Sequence, residues 1–406
     1  MGSITDSSIV TLEKTPHLLL ACGAMKGSVS AKALSEWLHR LLLTEQKHPV
    51  VLAIPMADGG DGTIDAILDA QDNKPYPYQT YTTRLLNGEA RWLYSPENRR
   101  AVVVACEAHG ISKIPKGVPL QPLNASSYGV GQVLQAVLGA LPDLKECVIT
   151  TGGSSSTDGG IGCLQALGAR FWGDGNAPLG NTLTNSVLCG TDLHKIHAWQ
   201  LPDGRYPEVK LTITADVENP LLGPSGTAAV FAPQKGATPG DVAFLESGLT
   251  HWARLCDEQG GAAQDFYGAG AAGGLVYGLM QLKPLFANVQ VCSGFEFVSQ
   301  QVGLDAALNN ANLVISSEGR FDETSFSGKL LGHLIQKTSA SRKLLIIAGS
   351  SSPTALSQLE KFPYVHVFNL LEQPFSESEM VAAMETPLAI LEKRRTALGK
   401  LIQSLL

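Results

Sequence analysis

The chain alternates short apolar runs, rich in β-branched residues, with longer amphipathic segments, and this alternation constrains its fold more than any other feature. The runs that predict strands are residues 17–22, 50–54, 101–106, 147–149, 210–215, 228–232, 313–316, 343–348 and 365–370. The segments that predict helices are residues 30–43, 63–68, 129–141, 161–171, 241–259, 328–338 and 378–405. Such alternation predicts an α/β protein whose crossover helices connect parallel strands.

The two ends of the chain differ from its middle. The strands near the ends are almost continuously apolar, as expected of strands covered on both faces. The middle carries longer connections rich in glycine and proline, such as residues 115–122 and 202–207. We therefore expect residues 15–85 and 291–406 to form one discontinuous α/β domain with a parallel sheet, and residues 86–290 to form an inserted mixed α/β domain. A chain of 406 residues is long enough for two such cores.

Charge and cysteine content limit the possible partners. The formal net charge of −7 argues against nucleic acid or an anionic membrane as the main partner, whereas small anions can still bind at locally positive loops. The seven cysteines are scattered without a C-x-x-C pair, which indicates buried, reduced thiols. No apolar stretch approaches the roughly 18 residues of a membrane span. We expect a cytoplasmic protein, and the sequence leaves its oligomeric state open.

A loop rich in glycine and hydroxyl residues follows the predicted strand at residues 147–149, and we call residues 150–160 the glycine loop. It holds Gly152, Gly153, Ser154 and Asp158. Glycines let a backbone approach an anion closely, and hydroxyl and N–H groups at a helix start hold phosphate oxygens. We expect this loop to contact an anion or substrate; the alternative is a tight turn that caps the next helix.

Polar residues also follow the first two predicted strands. Lys26 and Ser28 come after the first, where a lysine can neutralise phosphate or carboxylate. The alternative there is a helix cap beside a surface lysine. Asp58, Gly59 and Gly60 come after the second, in a run that interleaves two carboxylates with three glycines. That pattern indicates a metal or substrate loop more than a simple turn.

Two further loops come after the middle of the chain. Asp216 and Asn219 end the predicted strand at residues 210–215. Gln234 and Lys235 precede a glycine, and Lys235 is a candidate for a phosphate contact, at even odds with a structural role.

Near the C-terminal strands, Glu318, Arg320 and Asp322 stand at alternate positions after the predicted strand at residues 313–316. They are candidates to serve a metal, a phosphate and an attacking hydroxyl in turn; the alternative is a surface ion-pair cluster. By contrast, residues 268–273 match G-x-G-x-x-G but follow no convincing strand and precede no acidic residue before Phe295, so we reject a dinucleotide site there. The nine histidines show no paired spacing typical of a zinc site.

Taken in order, these loops resemble the two-domain, type I bacterial glycerate kinase family. The matching motifs are Lys26-Gly27-Ser28-x-Ser30-Ala31, Pro55-x-Ala57-Asp58-Gly59-Gly60-x-Gly62-Thr63, Ser127-Tyr128-Gly129-x-Gly131, Gly152-Gly153-Ser154, Asp158-Gly159-Gly160, Leu164-Gln165-Ala166-Leu167-Gly168-Ala169, Asp216-Val217-x-Asn219-Pro220-Leu221, Pro233-Gln234-Lys235-Gly236-Ala237-Thr238, Gly268-Ala269-Gly270-Ala271-Ala272-Gly273-Gly274 and Glu318-Gly319-Arg320-x-Asp322. The resemblance implies a flavodoxin-like domain from both chain ends and an inserted domain related to restriction-enzyme folds. It also implies ATP-dependent phosphorylation of glycerate, at the 2-hydroxyl, with Mg²⁺ and a cleft between the domains.

The resemblance also implies roles for individual residues. The catalytic candidates are Asp322, Asp216, Lys26 and Asp58, and the metal candidates are Asp216 and Glu318. The candidates for substrate or phosphate binding are Ser28, Gly59, Gly60, Gly152, Gly153, Ser154, Asp158, Asn219, Gln234, Lys235, Glu318 and Arg320. Phosphoryl transfer needs charge neutralisation and alignment more than covalent help, which such lysines, loops and carboxylates can supply.

Several polar residues of the family motifs are replaced here. The departures are at Gly23, Ala24, Val104, Val130 and Thr324, whereas the glycines of the motifs are kept. A lost polar partner inside a site changes which ligand the site accepts. Two alternatives therefore accompany glycerate phosphorylation: a kinase for another small hydroxy acid or polyol, and a catalytically inactive homologue with a binding or regulatory role.

Overall fold

The chain contains two large β-sheets, one fully parallel and one mixed. The computed structural model describes residues 17–25, 28–43, 50–71, 77–115, 117–180, 186–326, 330–372 and 374–406. These residues cluster into two compact units. Unit 1 comprises the described residues within Met1–Pro55, Leu304–Ser327 and Leu331–Leu406, and unit 2 those within Met56–Gly303 and Gly328–Leu330.

Unit 1 contains a five-stranded, fully parallel sheet. Its strands are β1 (His17–Leu20), β2 (Val50–Ala53), β12 (Leu313–Phe321), β13 (Lys343–Ser351) and β14 (Val365–Asn369). They lie in the order β14-β13-β12-β1-β2. Counted within the unit this is the order 5-4-3-1-2, the flavodoxin-like arrangement that places the first two strands on one side of a switch point. The predicted flavodoxin-like α/β fold is confirmed.

Helices and a shared apolar core stabilise unit 1. Leu18, Leu19 and Leu20 of the inner strand β1 are consecutive and all almost fully buried, so both faces of the strand are covered and it reads as a continuous apolar run. The helices are α1 (Ala31–Leu43), α10 (Leu304–Asn310), α11 (Leu330–Gln336), α12 (Pro353–Gln358), α13 (Glu377–Glu385), α14 (Pro387–Lys393) and α15 (Arg395–Leu405). The segment predicted as one helix over 378–405 is thus three helices. The first break comes before Pro387, because proline cannot continue a helix but can begin one.

Unit 2 contains a mixed six-stranded sheet. Its strands are β3 (Gln79–Leu85), β4 (Gly88–Ser95), β5 (Arg100–Val104), β6 (Glu146–Thr150), β10 (Tyr206–Thr214) and β11 (Phe286–Cys292), in the order β11-β10-β6-β5-β4-β3. The four strands β5, β6, β10 and β11 are parallel, and β3 and β4 add an antiparallel hairpin. Residues 56–85 and 291–303, which the sequence assigns to the discontinuous domain, lie in unit 2. The hairpin explains part of this difference, because β3 pairs with β4.

The remaining elements of unit 2 cover this sheet. A small antiparallel sheet has the order β8-β7-β9 and consists of β7 (Arg170–Trp172), β8 (Pro178–Leu179) and β9 (Ala198–Gln200). The helices are α2 (Thr63–Asp69), α3 (Ala105–His109), α4 (Tyr128–Ala140), α5 (Ile161–Ala166), α6 (Thr227–Phe231), α7 (Pro239–Glu258), α8 (Leu275–Met280) and α9 (Gly294–Val302). In the part of the chain that the structure describes, no helix combines the length and apolarity needed to cross a bilayer.

Three sequence predictions in unit 2 are wrong in detail. The strand predicted over 101–106 ends at Val104, and helix α3 begins at Ala105. The predicted strand at 228–232 is helix α6, because Ala228 and Ala232, four residues apart, are buried while Val230 between them is exposed. The helix predicted over 161–171 ends at Ala166, and Arg170–Trp172 forms strand β7. Gly168 there has a positive φ of 101°, which favours a turn and ends the helix.

Candidate functional site

Four parallel strands of unit 2 end at one level, and we call this side of the sheet the carboxyl edge of unit 2. Val104 of β5 is in register with Thr150 of β6, Thr150 with Thr214 of β10, and Thr214 with Cys292 of β11. The segments that follow these residues therefore start side by side. Open α/β sheets bind ligands outside the carboxyl ends of their strands, so this edge is the first candidate site.

Asp216 projects from this edge with a fixed carboxylate. Its Oδ1 accepts hydrogen bonds from the hydroxyl of Ser293 at 2.8 Å and from the N–H of Gly294 at 2.8 Å. The N–H of Phe295 lies 3.1 Å from both carboxylate oxygens. These donors belong to the start of α9, so Asp216 also caps that helix, where a negative charge is stabilised.

Asp58 lies close enough to Asp216 for the two carboxylates to interact. Burial is the main cause that raises the pKa of Asp216, and the negative charge of Asp58 raises it further, against the hydrogen bonds from Phe295, Ser293 and Gly294. The site thus brings two carboxylates within range of electrostatic repulsion, and hard divalent cations prefer oxygen ligands of this kind. Mg²⁺ commonly binds one or two carboxylates and keeps waters or phosphates, so this pair fits it.

The glycine loop packs directly on the Asp58 loop. The N–H of Gly152 donates to the carbonyl of Gly59 at 3.3 Å. A side chain at Gly152 would place its Cβ 2.8 Å from the backbone of Gly60, so only glycine permits this contact. Gly153 follows with a positive φ of 77°. The predicted residues Gly59, Gly60, Gly152 and Gly153 are therefore brought together.

Asp158 is fully buried and organises the glycine loop. Its Oδ2 accepts from the N–H of Ser127 at 2.8 Å, from the Ser127 hydroxyl at 2.7 Å and from the N–H of Gly162 at 3.3 Å. Its Oδ1 accepts from the N–H of Gly160 at 3.1 Å. These donors use most of the capacity of a carboxylate. That Asp158 contacts a ligand stays a prediction. The geometry favours an indirect role, in which Asp158 fixes the shape of the glycine loop.

Lys235 lies beneath the glycine loop and is only 3% exposed. Its ammonium group donates to the hydroxyl of Ser154 at 3.2 Å and to the carbonyl of Ser156. Burial lowers its pKa to about 8, while the charge of Asp158 acts in the opposite direction. The sequence predicts a phosphate contact for Lys235 and Ser154; in the structure the two contact each other, and the ammonium brings positive charge to the loop.

The other predicted residues of unit 2 differ in exposure. Gln234 is exposed beside the buried Lys235. The side-chain amide of Asn219 donates to the carbonyl of Ser225 at 2.7 Å. The main-chain carbonyl of Asn219 accepts from the N–H of Gly270 at 2.9 Å. Asn219 thus also holds residues 268–273, the glycine-rich run that we reject as a dinucleotide site, in place.

His109 and Ser293 belong to this edge but are not among the predicted site residues. His109 ends α3, and its carbonyl accepts from the N–H of Ser155 at 3.0 Å and from the Ser155 hydroxyl at 2.6 Å. Ser293 directly follows β11 and holds Asp216. Both could have been found from their position after a strand end. Ser293 was missed because β11 is not predicted as a strand, and His109 because the run at 101–106 is predicted to be a strand throughout.

The carboxyl edge of unit 1 carries a second group of predicted residues. Strand β12 continues to Phe321, so Glu318 and Arg320 lie within the strand and not in a loop as predicted. Because they alternate with Gly319, they share one face of the strand. Glu318 accepts from the hydroxyl of Ser325 at 2.6 Å, and Arg320 is exposed.

The last predicted residues lie near these two. Asp322 accepts from the N–H of Thr324 at 3.0 Å and from its hydroxyl at 2.6 Å, and thereby begins a short turn of 3₁₀ helix. The Ser28 hydroxyl donates to the carbonyl of Ala383 at 3.4 Å. Ser30 accepts from the N–H of Ala33 at 3.2 Å and caps α1, as the sequence allows. Lys26 lies outside the described residues.

The predicted metal ligands Asp216 and Glu318 lie in different units. Within the described ranges, no group of three or more His, Cys, Asp or Glu side chains is arranged to hold a metal ion. The carboxylates of Asp58 and Asp216 at the edge of unit 2 are the pair that we consider further as ligands of a divalent cation.

Comparison with known proteins agrees with this architecture. The sequence model of the glycerate kinase family matches residues 18–403. A glycerate kinase from Halalkalibacterium halodurans is 35% identical over 68% of this chain and 70% of its own length. A glycerate 2-kinase from Escherichia coli K12 is 29% identical over 77% of this chain and 79% of its own length.

A solved structure gives the same result for the fold. A crystal structure from Salmonella typhimurium LT2, provisionally described as a glycerate kinase 2, superposes with a TM-score of 0.65 at 26% identity. The match covers 96% of this chain and 98% of that one. The predicted family resemblance is therefore confirmed: the chain belongs to the glycerate kinase family and is a phosphotransferase.

Proposed function

We propose that this protein transfers the γ-phosphoryl group of ATP to the 2-hydroxyl of glycerate, with Mg²⁺ as the accompanying cation. The observation that carries the proposal is the Asp58–Asp216 pair at the carboxyl edge of unit 2, in a chain of the glycerate kinase family. Two neighbouring carboxylates suit a reaction that needs a divalent cation and a hydroxyl group held in place. The name of the Escherichia coli relative, glycerate 2-kinase, supports the 2-position.

We assign different tasks to the two carboxylates. Asp216 is anchored by the start of α9 and suits the cation, which would neutralise negative charge on the transferred phosphoryl group. Asp58 belongs to a loop that packs on the glycine loop, where the N–H of Gly60 lies 3.3 Å from its Oδ1. Its carboxylate suits the substrate hydroxyl, whose hydrogen it would accept and orient.

Positive charge comes from two places in the chain. The Lys235 ammonium acts from beneath the glycine loop, where low solvent access keeps its field strong. Arg320 is exposed on β12 and can pair with a phosphate through two parallel hydrogen bonds. In this proposal Lys235 organises the glycine loop of unit 2, and Arg320 offers an anion contact at the carboxyl edge of unit 1.

A product assay tests the proposal. The full-length protein is incubated with ATP, Mg²⁺ and glycerate, ADP release is followed, and the product is presented to enolase, which acts on 2-phosphoglycerate and not on 3-phosphoglycerate. We expect ADP release and an enolase substrate in equal amounts. A product that enolase rejects would overturn the 2-position. ADP release only with another hydroxy acid or polyol would overturn glycerate, and no ADP release with any acceptor would overturn the kinase reaction.

The buried Lys235 gives the proposed reaction an alkaline limit. We expect kcat/KM to fall as the pH rises through about 8, because the ammonium loses its proton there and the glycine loop loses its positive charge. The loss is about tenfold per pH unit above that value if only the protonated form is active. Lys235→Met should have a low kcat/KM at every pH. Lys145→Met is the control: it removes an exposed lysine paired with Glu208 and should keep the wild-type pH profile of kcat/KM.

The free energy of unfolding should rise over the pH range in which kcat/KM falls. The pKa of Lys235 is lower in the fold than its ordinary value of 10.5, so the unfolded chain binds more protons between these values. The contribution of Lys235 to stability therefore rises with pH over the range in which activity falls, and thermal unfolding across that range measures it. A wild-type stability that does not change with pH around 8, like that expected of Lys235→Met, would contradict the assignment.

A further inference from the structure

Residues 268–274, which include the run that matches G-x-G-x-x-G, lie between two parts of the candidate site in unit 2, and we call them the bridging segment. All of them are buried except Ala272, which is partly buried. They carry no charged or nucleophilic side chain and therefore supply no chemistry of their own. Their backbone can instead set the relative position of the segments that pack on it.

One end of the bridging segment packs beside Asp216. A Cβ at Gly268 would lie 2.7 Å from the Cβ of Ala215 and 3.3 Å from the carbonyl oxygen of Val217. These two residues flank Asp216 in the chain. Ordinary van der Waals contacts are 3.4–4 Å long, so the backbone of Gly268 comes as close to the Asp216 segment as a residue without a side chain permits.

The other end packs on the glycine loop, at the residue that holds Lys235. The carbonyl of Gly273 accepts from the N–H of Gly159 at 2.9 Å. A Cβ at Gly273 would lie 2.8 Å from the Cα of Thr157 and closer still to the carbonyl oxygen of Ser156. That oxygen accepts a hydrogen bond from the Lys235 ammonium. One packing contact and one hydrogen bond thus connect the bridging segment to Lys235.

A buried threonine fixes the middle of the bridging segment. The hydroxyl of Thr227, at the start of α6, donates to the carbonyl of Gly270 at 3.0 Å, and Thr227 is fully buried. The N–H of Gly270 donates to the carbonyl of Asn219 at 2.9 Å. Ala272 adopts the left-handed conformation, with φ 54° and ψ 38°, which a residue with a side chain keeps only where its surroundings impose it. The path of the segment between its two ends is therefore fixed.

We propose that Gly268, Gly273 and Thr227 are positioning residues of the kinase, which hold the Asp216 carboxylate and the Lys235 ammonium in a fixed relation at the carboxyl edge of unit 2. This inference rests on the proposed function, which assigns Asp216 to the cation and Lys235 to the glycine loop. The three residues act through these two charged groups and contact no ligand. Because each end of the segment packs beside one of the groups, a change at one end disturbs that group and spares the other.

Alanine at either end separates the two effects. Gly268→Ala should raise the half-saturating Mg²⁺ concentration by about tenfold, as when the support of a metal ligand is displaced, and should keep the alkaline limb of kcat/KM. Gly273→Ala should lower kcat by about 10- to 100-fold, because the loop is misplaced, and should keep the Mg²⁺ dependence. Its alkaline limb should move below about pH 8, since Lys235 loses an acceptor that favours its charged form.

Gly260→Ala is the matched control for both variants. Gly260 has a φ of 68°, close to the 76° of Gly268 and the 71° of Gly273, so alanine meets a similar backbone penalty at all three positions. Among the described residues, none beyond its chain neighbours lies within 4 Å of the place that its Cβ would take. We expect wild-type Mg²⁺ dependence and pH profile from this control. Losses in the other two variants that only follow the folded fraction, or identical changes of both readouts in both, would overturn the proposal.

Hydrogen exchange in the free protein keeps this test separate from the kinase assay. Gly268→Ala should speed exchange at the start of α9, whose N–H groups donate to Asp216. Gly273→Ala should instead speed exchange in the glycine loop, where the N–H of Gly159 donates to the carbonyl of residue 273. This pattern supports the proposal even if glycerate proves not to be the substrate. Exchange that matches Gly260→Ala in both regions overturns it even if the kinase assay succeeds.

A third variant covers the case in which an alanine variant does not fold. Thr227→Val keeps the shape of the side chain and removes only the hydrogen bond to Gly270. Because this bond fastens the middle of the bridging segment, exchange should become faster both at the start of α9 and in the glycine loop. Thr250→Val is its control, since the exposed Thr250 hydroxyl donates to the Glu246 carbonyl at 2.8 Å within α7. Exchange in Thr227→Val that stays at the level of this control in either region would overturn the proposal.

Discussion

Replacing Asp216 with asparagine is expected to lower kcat by about a thousandfold, the size of effect seen when a group that stabilises transition-state charge is removed. The substitution keeps the Oδ1 acceptor for Ser293 and Gly294 and therefore keeps the cap of α9. The expected loss of stability is about 1 kcal/mol, as for a weakened helix cap. What disappears is the negative charge beside Asp58, and with it the affinity for a divalent cation.

The measurement is kcat at saturating ATP and glycerate, together with a Mg²⁺ titration and thermal unfolding. Asp241→Asn is the matched control, since Asp241 also caps a helix, accepting from Thr238 at the start of α7, and its side chain is exposed. We expect the control to retain wild-type kcat and Mg²⁺ dependence. Turnover of Asp216→Asn within tenfold of the wild type, or an equal loss in both variants, would remove Asp216 from the chemistry.

The fold could be predicted where strands are buried on both faces. β1, β12 and β13 are continuous apolar runs because helices cover both sides of the parallel sheet. The hairpin strand β3 reads Gln-Thr-Tyr-Thr-Thr-Arg-Leu and is mostly exposed, so its side chains give no apolar signal. It forms because it pairs with β4, a partner that a local pattern does not reveal. This is why the sequence places residues 79–85 with the chain ends.

The location of the candidate residues could be predicted better than their individual roles. Asp58, Asp216 and the glycine loop follow strand ends, and the carboxyl edge of a parallel sheet brings such segments together. Which polar groups become buried depends on partners from elsewhere in the chain. The Lys235 ammonium meets Ser154, which is 81 residues away in sequence, and this contact turns a candidate surface lysine into a buried one. Burial of a charge requires such partners, and a local motif does not supply them.

Removing the Asp158 carboxylate is expected to cost more stability than any other single change in the glycine loop. In Asp158→Ala the N–H groups of Ser127, Gly160 and Gly162 lose their buried acceptor together. Loss of one partner in a buried, charged network typically costs about 3–5 kcal/mol. Asp158→Asn keeps the shape and one oxygen but turns an amide group toward these donors, so we expect a smaller loss of about 1–3 kcal/mol.

Chemical denaturation of the wild type and both variants measures these losses, and Asp203→Ala provides the control. Asp203 is exposed and contacts only Arg170 among the described ion pairs, so its removal should change stability by less than about 0.5 kcal/mol. The result decides between the two interpretations of Asp158. A large loss of stability in Asp158→Ala means that the carboxylate shapes the loop and reaches the ligand only through it. Unchanged stability with lost ATP or glycerate binding would mean that Asp158 contacts the ligand, as the family resemblance implies.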